Sequence, residues 1–472
     1  MISLRLSWPS DSRAGDRGPT SIVGAVRLAL VLALVLAPSV AHAVGETITD
    51  VRVLDNQRTA EDTVRSLAGV SIGDTMELDT LEKVRERLNT SGLFADVNVW
   101  WEQNGEGVRV NVAVKDKFPW APLPTATWSA NNKAIGLVFV HGNLFGRGKQ
   151  LVVGGRLATV DSGAVLAYRD PAVLGSWLYW HLQGVAQKQI VPEYENDLEV
   201  PATPLRETHF TSYGFETTLG IAWFRRVRTQ VAWGLQQVNV SHSDVPAFDG
   251  SPEMPAPLAT QGALVGVGRT SISFDFRARE FAVMTGTALS GSFDLASPSF
   301  GGKLSYWRAG AGFEHGIKFF HSHNLVYSAY AGTGQDLPFW SEYTAGGPNL
   351  RGYLFQQFRG DTTLGGKIEY HFPLFSIGSL DFRALAFYDT AALWFRNIPG
   401  PNADGLRTRS TPDARDFDPR TEQGFSLTRD VHDAVGGGLR FFLRSVAVPL
   451  IGFDAGYGIE ARHWQFFLVL GA

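Results

Sequence analysis

The residues best suited to chemistry lie in and beside Gly346-Gly347-Pro348-Asn349-Leu350-Arg351-Gly352-Tyr353, a Gly/Pro loop with one cation, Arg351, at its tip. The segment Thr363-Leu364-Gly365-Gly366-Lys367-Ile368-Glu369-Tyr370 follows and alternates as a sheet strand does. Ile368, Tyr370 and Phe372 share one face of it, and Lys367, Glu369 and His371 the other. In the next strand-like segment Tyr388 keeps the apolar phase and Asp389 takes the other. Glu369 and Asp389 are therefore expected side by side on one face of neighbouring strands. A guanidinium is a rigid fork of donors that two carboxylates grip, with a geometry lysine cannot match. Such bonds contribute roughly 1.5–3 kcal/mol each when shielded, and about 0–1 kcal/mol when fully exposed. On the residues alone, two readings stand. Arg351 pins its loop between the two acids, with Gly346, Gly347 and Gly352 permitting the tight path, or Arg351 is a solvated loop residue and the acids line a wet pore.

Other chemistry is poorly supplied. The sequence holds no nucleophile elbow, zinc-binding helix or phosphate-cradling glycine loop. With 0 cysteines, disulfides and thiolate metal sites are excluded. The 11 histidines are scattered, and the near pair His321 and His323 in a short turn is not expected to bind a metal. A net charge of −4 offers no basic surface for nucleic acid. Neither enzyme activity nor a cofactor is expected.

The elements that must position the arginine and its acids read as strands. Glycine (51) and phenylalanine (31) are abundant and methionine (4) is scarce, which suits a membrane β-barrel or a soluble β-sandwich. Leu28 to Ala37 is apolar, follows Arg27 and precedes Ala41-His42-Ala43, so residues 1–43 read as a secretory signal peptide. That run is shorter than the roughly 20 residues a membrane helix needs. An exported chain without a helical span is soluble or a closed barrel. From residue 125 to 472 strand patterns repeat, as in Ser271-Ile272-Ser273-Phe274-Asp275-Phe276-Arg277. Short connections alternate with long ones at 188–207, 241–260, 333–360 and 391–430, the pattern of an outer-membrane barrel. About sixteen strands are predicted, an even number as single-chain bacterial barrels have. Their centres lie near Thr127, Val138, Val153, Val165, Tyr179, Tyr213, Ala232, Ser271, Leu289, Ala309, Tyr327, Glu369, Leu385, Gly437, Phe453 and Phe467. Pro119, Pro122 and Pro124 mark 118–124 as a linker into the barrel.

Residues 46–117 read as a separate unit ordered strand, helix, helix, strand, strand. Asp79 is the expected N-cap of the second helix. Asn104-Gly105-Glu106-Gly107 is a hairpin turn joining the last two strands. Trp100 and Trp101 on the first of these strands are candidates for touching a partner chain, against the plainer reading that they pack on the helices or the barrel rim.

Within this unit Leu81-x-x-Val84-x-x-x-Leu88-Asn89-x-Ser91-Gly92-Leu93-Phe94-x-x-Val97-x-Val99 resembles the POTRA domain of the BamA/TamA-type outer-membrane assembly superfamily, the bacterial surface antigen family. Gly142-Asn143-Leu144-Phe145-Gly146-Arg147-Gly148 and Asp170-Pro171 resemble that family's first two periplasmic turns. Phe387-Tyr388-Asp389-Thr390-Ala391 resembles its aromatic-x-Asp-x-Gly strand, with Ala391 in the usual glycine place. The resemblance implies one POTRA domain in the periplasm and a barrel in the bacterial outer membrane. It places Arg351, Gly352 and Tyr353 inside the barrel, with the arginine against Glu369 and Asp389. It implies insertion or translocation of polypeptides, with lipid and a client or periplasmic partner as contacts and a monomeric barrel. A passive channel, or a secretion transporter for one partner protein, is the alternative. A weak seam is expected between the first and last strands, because the first follows three prolines and soon meets Asn131-Asn132. The last strand, Trp464 to Ala472, lacks the family's terminal aromatic.

Overall fold

The computed structural model describes residues 45–194, 204–223, 226–244, 262–320, 322–396, 425–443 and 449–470. Residues 1–43, the expected signal peptide, and His321 and Gly471-Ala472 lie outside these residues. The chain divides into two compact units at Lys117 and Phe118.

The first unit contains β1 (Ile48–Leu54), α1 (Glu61–Ala68), α2 (Thr80–Thr90), β2 (Phe94–Asn104) and β3 (Gly107–Asp116). The sheet order is β1-β3-β2, with β3 central, parallel to β1 and antiparallel to β2. The central place of β3 explains its valines. Val108, Val110, Val112 and Val114 are all at most 2% exposed, and Val64, Val84 and Leu88 of the two helices close over them. α1 carries Glu61 and Asp62 in its first turn and ends on Gly69 at φ 64°, the left-handed stop that glycine adopts most readily. Asp79 stands at the N-cap of α2 but its side chain does not cap. Its carboxylate turns to the Lys83 ammonium at 2.9 Å, while Thr80 Oγ1 accepts from the Glu77 N–H.

The second unit is a closed antiparallel barrel. Its first half runs β4 (Trp120–Trp128), β5 (Lys133–Leu144), β6 (Lys149–Ala158), β7 (Asp161–Asp170), β8 (Leu178–Tyr194), β9 (Pro204–Trp223) and β10 (Val227–Asp244). It continues through β11 (Ala263–Asp275), the short β12 (Ala278–Glu280), β13 (Val283–Ala296), β14 (Tyr306–Phe319) and β15 (His323–Gln335). A luminal loop follows with the small hairpin β16 (Tyr343–Ala345) and β17 (Phe358–Gly360). The ring ends with β18 (Thr362–Ile377), β19 (Leu380–Trp394), β20 (Val431–Leu443), β21 (Pro449–Gly458) and β22 (His463–Leu470). Because β11 and β13 pair directly and β12 only prolongs their hairpin, the ring has sixteen full strands, as predicted. Each predicted centre falls on its own strand. Large apolar side chains face outward in alternation, as at Trp464, Phe466 and Leu468 on β22, so the apolar surface is outside, as lipid requires.

Two expectations about the barrel change. The stretches 188–194 and 204–207 are not loop, because β8 and β9 extend to 17 and 20 residues. Nor is 118–124 a linker, because β4 begins at Trp120 and pairs with β5 through Pro122↔Phe139 and Pro124↔Leu137. The prolines are tolerated for a geometric reason. The Gly142 N–H donates to the Pro119 carbonyl, and the Ser129 N–H to the Asn132 carbonyl. Odd residues of β4 therefore bond to β5, and even ones point to the other side. Pro122 and Pro124 thus lack their N–H groups on the edge where β22 does not reach. Among the described residues β22 pairs with β4 through Leu468↔Trp128, Val469↔Thr127 and Leu470↔Ala126. Proline at an unpaired edge costs no ladder bond and discourages stray strand pairing.

In the first unit, Asp116 at the end of β3 organises the approach to α1. Its Oδ2 accepts from the N–H groups of Gln57 (2.8 Å), Arg58 (2.7 Å) and Thr59 (3.4 Å), and its Oδ1 from the Thr59 hydroxyl. Burial works to raise its pKa, but these donors outweigh it and hold it below the usual carboxylate value. A depressed folded-state pKa adds stability above the unfolded value, lost as pH falls through the folded one. Asp116→Ala is expected to speed amide exchange at 57–59 at neutral pH, with a loss of roughly 1–2 kcal/mol. The gap to wild type should close as the carboxylate protonates. A gap that stays constant down to acid pH would refute this account.

Candidate functional site

The site is built from a loop that cannot fill the barrel lumen without glycine and cannot stay there without charge. Between β15 and β18 the chain leaves the wall and re-enters the bore. At one end of this loop Phe339 packs edge-on against Phe210 of β9 at 5.7 Å, within a cluster that includes Val238 and Val265. At the other, Leu350, Tyr353 and Phe358 are buried against Ala391, Leu393 and Ala434 of β19 and β20. Ala391 is 0% exposed, so the small residue there makes room for the loop.

Arg351 is 3% exposed and Asp389 0%. The guanidinium grips Asp389 as a fork, Nη2 to Oδ1 at 2.6 Å and Nε to Oδ2 at 2.7 Å. The Arg351 backbone N–H also donates to Oδ2, at 3.1 Å. Nη1 lies 2.7 Å from Glu369 Oε1 and 3.4 Å from Asp454 Oδ2. The guanidinium carbon sits 3.5 Å from the centre of the Phe387 ring, two residues before Asp389 on the same face. Burial alone would lower the arginine pKa, but Asp389, Glu369 and Asp454 raise it, so the group stays charged. The arrangement orients and holds, and no nucleophile stands next to a base.

The structure thus brings Arg351, Glu369 and Asp389 together and adds members that the alternation did not single out. Asp454 of β21 is held by Arg440 of β20, Nη1 to Oδ1 at 2.6 Å and Nη2 to Oδ2 at 2.9 Å. His371 Nε2 lies 2.9 Å from Glu369 Oε2. Lys367 donates to the Pro348 carbonyl at 2.8 Å, tying the start of the loop to β18. Three carboxylates, Glu369, Asp389 and Asp454, thus share the guanidiniums of Arg351 and Arg440, which is how charges survive away from water. The inward phase of Arg440 and Asp454 was readable in the sequence, but nothing in it paired them with a loop about a hundred residues away.

Glycines allow the backbones to touch. Gly352 has φ 110°, a conformation L side chains rarely adopt, and a Cβ there would stand 2.6 Å from the Gly458 nitrogen of β21. A Cβ on Gly456 would in turn meet the Arg351 carbonyl carbon and the Gly352 nitrogen, both at 2.7 Å. Tyr353 continues the contact, its hydroxyl donating to the Asp433 carbonyl at 3.0 Å and meeting the Glu460 carboxylate. Burial, then Glu460, raises the pKa of this hydroxyl. Gly346 and Gly347 both have positive φ, at 117° and 67°, in the turn before the arginine. The loop does not fill the bore. Along the β10–β15 wall two openings of about 430 and 420 Å³ remain, lined by Arg228, Ser273, Ser290 and Tyr330 among others.

The tryptophan pair divides. Trp101 is partly buried against the core of the first unit, whereas Trp100 points out at 37% exposure. His323 Nδ1 is 2.7 Å from the Tyr370 hydroxyl. The turn after β5 places Phe145, Gly146 and Gly148 at positive φ, with Asn143 Oδ1 accepting from the Gly148 N–H at 2.8 Å. Asp170, before the second turn, is bound by Lys149 at 2.9 Å.

Solved structures share this architecture at low identity. BamA from Haemophilus ducreyi lacking POTRA domains 1-3 superposes with a TM-score of 0.62 at 15% identity, over 90% of this chain and 84% of that one. CdiB from Acinetobacter baumannii gives 0.57 at 12% identity, over 91% and 74%. CdiB from Escherichia coli gives 0.56 at 12%, over 90% and 76%. No curated protein sequence matches the chain. A family profile described as the Omp85 superfamily domain matches residues 143–463, more than half of the sequence and the whole of the luminal-loop site, and the chain therefore belongs to the Omp85 superfamily.

Proposed function

We propose that this protein assists the insertion or translocation of polypeptides at the bacterial outer membrane, with residues 46–117 acting as a periplasmic POTRA domain. The observation that carries the reading is the seam. Among the described residues most strand pairs in the ring share a long ladder, 17 residue pairs between β8 and β9 for example, whereas β22 and β4 share 3. Each ladder bond contributes only about 1 kcal/mol net, so this join is the one at which the wall parts most readily. The wall is also lowest there. β22 has 8 residues and β4 has 9, against 20 in β9. A strand needs about 9–11 residues to cross the hydrocarbon layer. Lipid beside the seam must thin to meet so short a wall, and thin lipid lowers the barrier to inserting another strand pair.

In this reading the POTRA unit gathers the client. β2 is an edge of its sheet among the described residues, the kind of edge that accepts an extended chain by strand addition, and Trp100 stands exposed on it. The Arg351 loop narrows the bore and keeps the neighbouring strands in place, with Arg351, Gly352, Tyr353, Glu369 and Asp389 as the lock. The barrel works as a monomer in lipid. A second reading, a conduit or secretion transporter through the bore, is favoured by the two openings along the β10–β15 wall.

Arg351→Ala strands Asp389 as a buried unpaired charge, so loosening of the loop by about 3–5 kcal/mol is expected. The barrel should still insert, and residues 340–356 should become protease-sensitive. Undiminished protease resistance of that segment would remove the lock. In lipid vesicles, the reconstituted protein is expected to accelerate folding of a urea-denatured client barrel. A disulfide between Thr127→Cys and Val469→Cys should stop this. Acceleration that survives the closed disulfide would rule out exit through the seam. A sharp rise in bilayer conductance on deleting 340–356, with no effect on client folding, would favour the conduit.

A further inference from the structure

The luminal loop is fastened on both sides of the seam. On the β18–β21 side stand Asp389, Glu369, Asp454 and the Gly456–Gly458 backbone. Four residues after Arg351 the loop meets Asn131, which lies in the turn between β4 and β5 on the far side of the seam. The Phe355 N–H donates to Asn131 Oδ1 at 3.0 Å, and Asn131 Nδ2 donates to the Phe355 carbonyl at 3.2 Å. A carboxamide offers one donor and one acceptor in a plane, as a peptide unit does, so the side chain pairs with the loop backbone as a strand would. Between these anchors the segment 351–355 leads from β21 to the β4–β5 turn, elements on either side of β22 in the ring.

The crossing sits where the wall has no ladder of its own. β22 pairs with β4 from Leu468 to Leu470, and its residues 463–467 run past Trp128, the last residue of β4. No described residue of the β4–β5 turn is in register with β22 there. That turn is itself stiff. Its Asn131 carbonyl accepts from Thr159 Oγ1 at 3.3 Å, Asn132 Nδ2 donates to Asp161 Oδ1 at 2.9 Å, and the Lys133 N–H donates to Thr159 Oγ1 at 3.0 Å. The hairpins β4–β5 and β6–β7 thus form one block.

We propose that residues 351–355 are a strap across the seam, with Asn131 as its catch. The two Asn131–Phe355 hydrogen bonds hold the open-ended half of the join that the three-pair ladder leaves unsecured. Parting the seam must then either break the catch or drag the loop off Asp389. Lateral opening is thereby coupled to release of the loop from Asn131. The inference rests on the seam being the working exit, but its test needs no client.

The test is amide exchange on the full-length protein in bilayers, read at the seam-facing groups of Trp128, Leu468 and Leu470. Asn131→Ala is expected to speed their exchange roughly ten-fold, the loss of two modest hydrogen bonds across one join. Trypsin should still fail to cut after Arg351, because the lock is untouched. In an Arg351→Ala background, Asn131→Ala should add little, since the strap is already slack. Unchanged seam exchange in Asn131→Ala overturns the proposal. So does an equal acceleration in both backgrounds, which would mean a local effect on the turn. Should Asn131→Ala fail to fold, Asn131→Cys with Phe355→Cys in this cysteine-free chain serves instead. Oxidation should slow seam exchange and reduction restore it, and no difference between the two states overturns the strap. If exchange behaves as expected while client folding is not accelerated, the strap stands and the insertion reading falls.

Discussion

A carboxylate that is 0% exposed inside a barrel must have a cation, and here the cation arrives on a loop. Much of the lumen follows from that constraint. Asp389 sits on β19, whose partners β18 and β20 supply Glu369 and Arg440, and β21 supplies Asp454. With Arg351 in place the three acids share two guanidiniums, those of Arg351 and Arg440. With it removed, a full charge faces a medium that cannot solvate it, a penalty of several kcal/mol. The small residues nearby answer the same demand. Ala391, Gly456 and Gly458 clear the space that lets loop backbone lie on strand backbone. Each would otherwise be a weak choice for a strand.

The barrel around this centre is lopsided. Strands of 17 to 20 residues build the β8–β10 wall, and strands of 8 to 12 build the wall from β22 to β7. The cation-bearing loop enters between β15 and β18, touches the tall wall through Phe339, and ends against the low one through Phe355. It is thus a crosspiece between the stiffest and the weakest parts of the ring. The hydrogen bonds it adds at the weak side are few, but they act where the ladder is shortest, so their share of the local total is large.

Much of this was legible in the sequence because a membrane barrel exposes its pattern twice, in the alternation of each strand and in the alternation of turn lengths. All sixteen strand centres were readable for that reason. The extent of β8 and β9 was not, because their outer ends carry Pro192, Glu193 and Glu207, residues that read as loop when the strand is assumed to stop at the membrane surface. β4 was hidden by its prolines. Proline argues against a strand only when both edges are paired, and a sequence does not say which edge is free. Arg351, Glu369 and Asp389 could be singled out because a lone cation on a glycine loop precedes two inward-phase acids. Asp454 and Asn131 could not, because their link to the loop is made by ring closure rather than by order along the chain.

Ring closure also explains why the catch falls on an asparagine in the first hairpin. A barrel's last strand must meet its first, so residues from opposite ends of the domain become neighbours at this join alone. Any element that is to sense the state of the seam has to touch both ends at once. The loop between β15 and β18 does so within five residues, using a buried ion pair on one side and a neutral carboxamide pair on the other. The two anchors differ in strength by design of their chemistry. A buried Arg–Asp fork is costly to break, whereas two hydrogen bonds to a half-exposed asparagine contribute about 1 kcal/mol each. When the wall parts, the weaker side yields first, and the loop stays on β19 ready to re-engage Asn131 as the strands return.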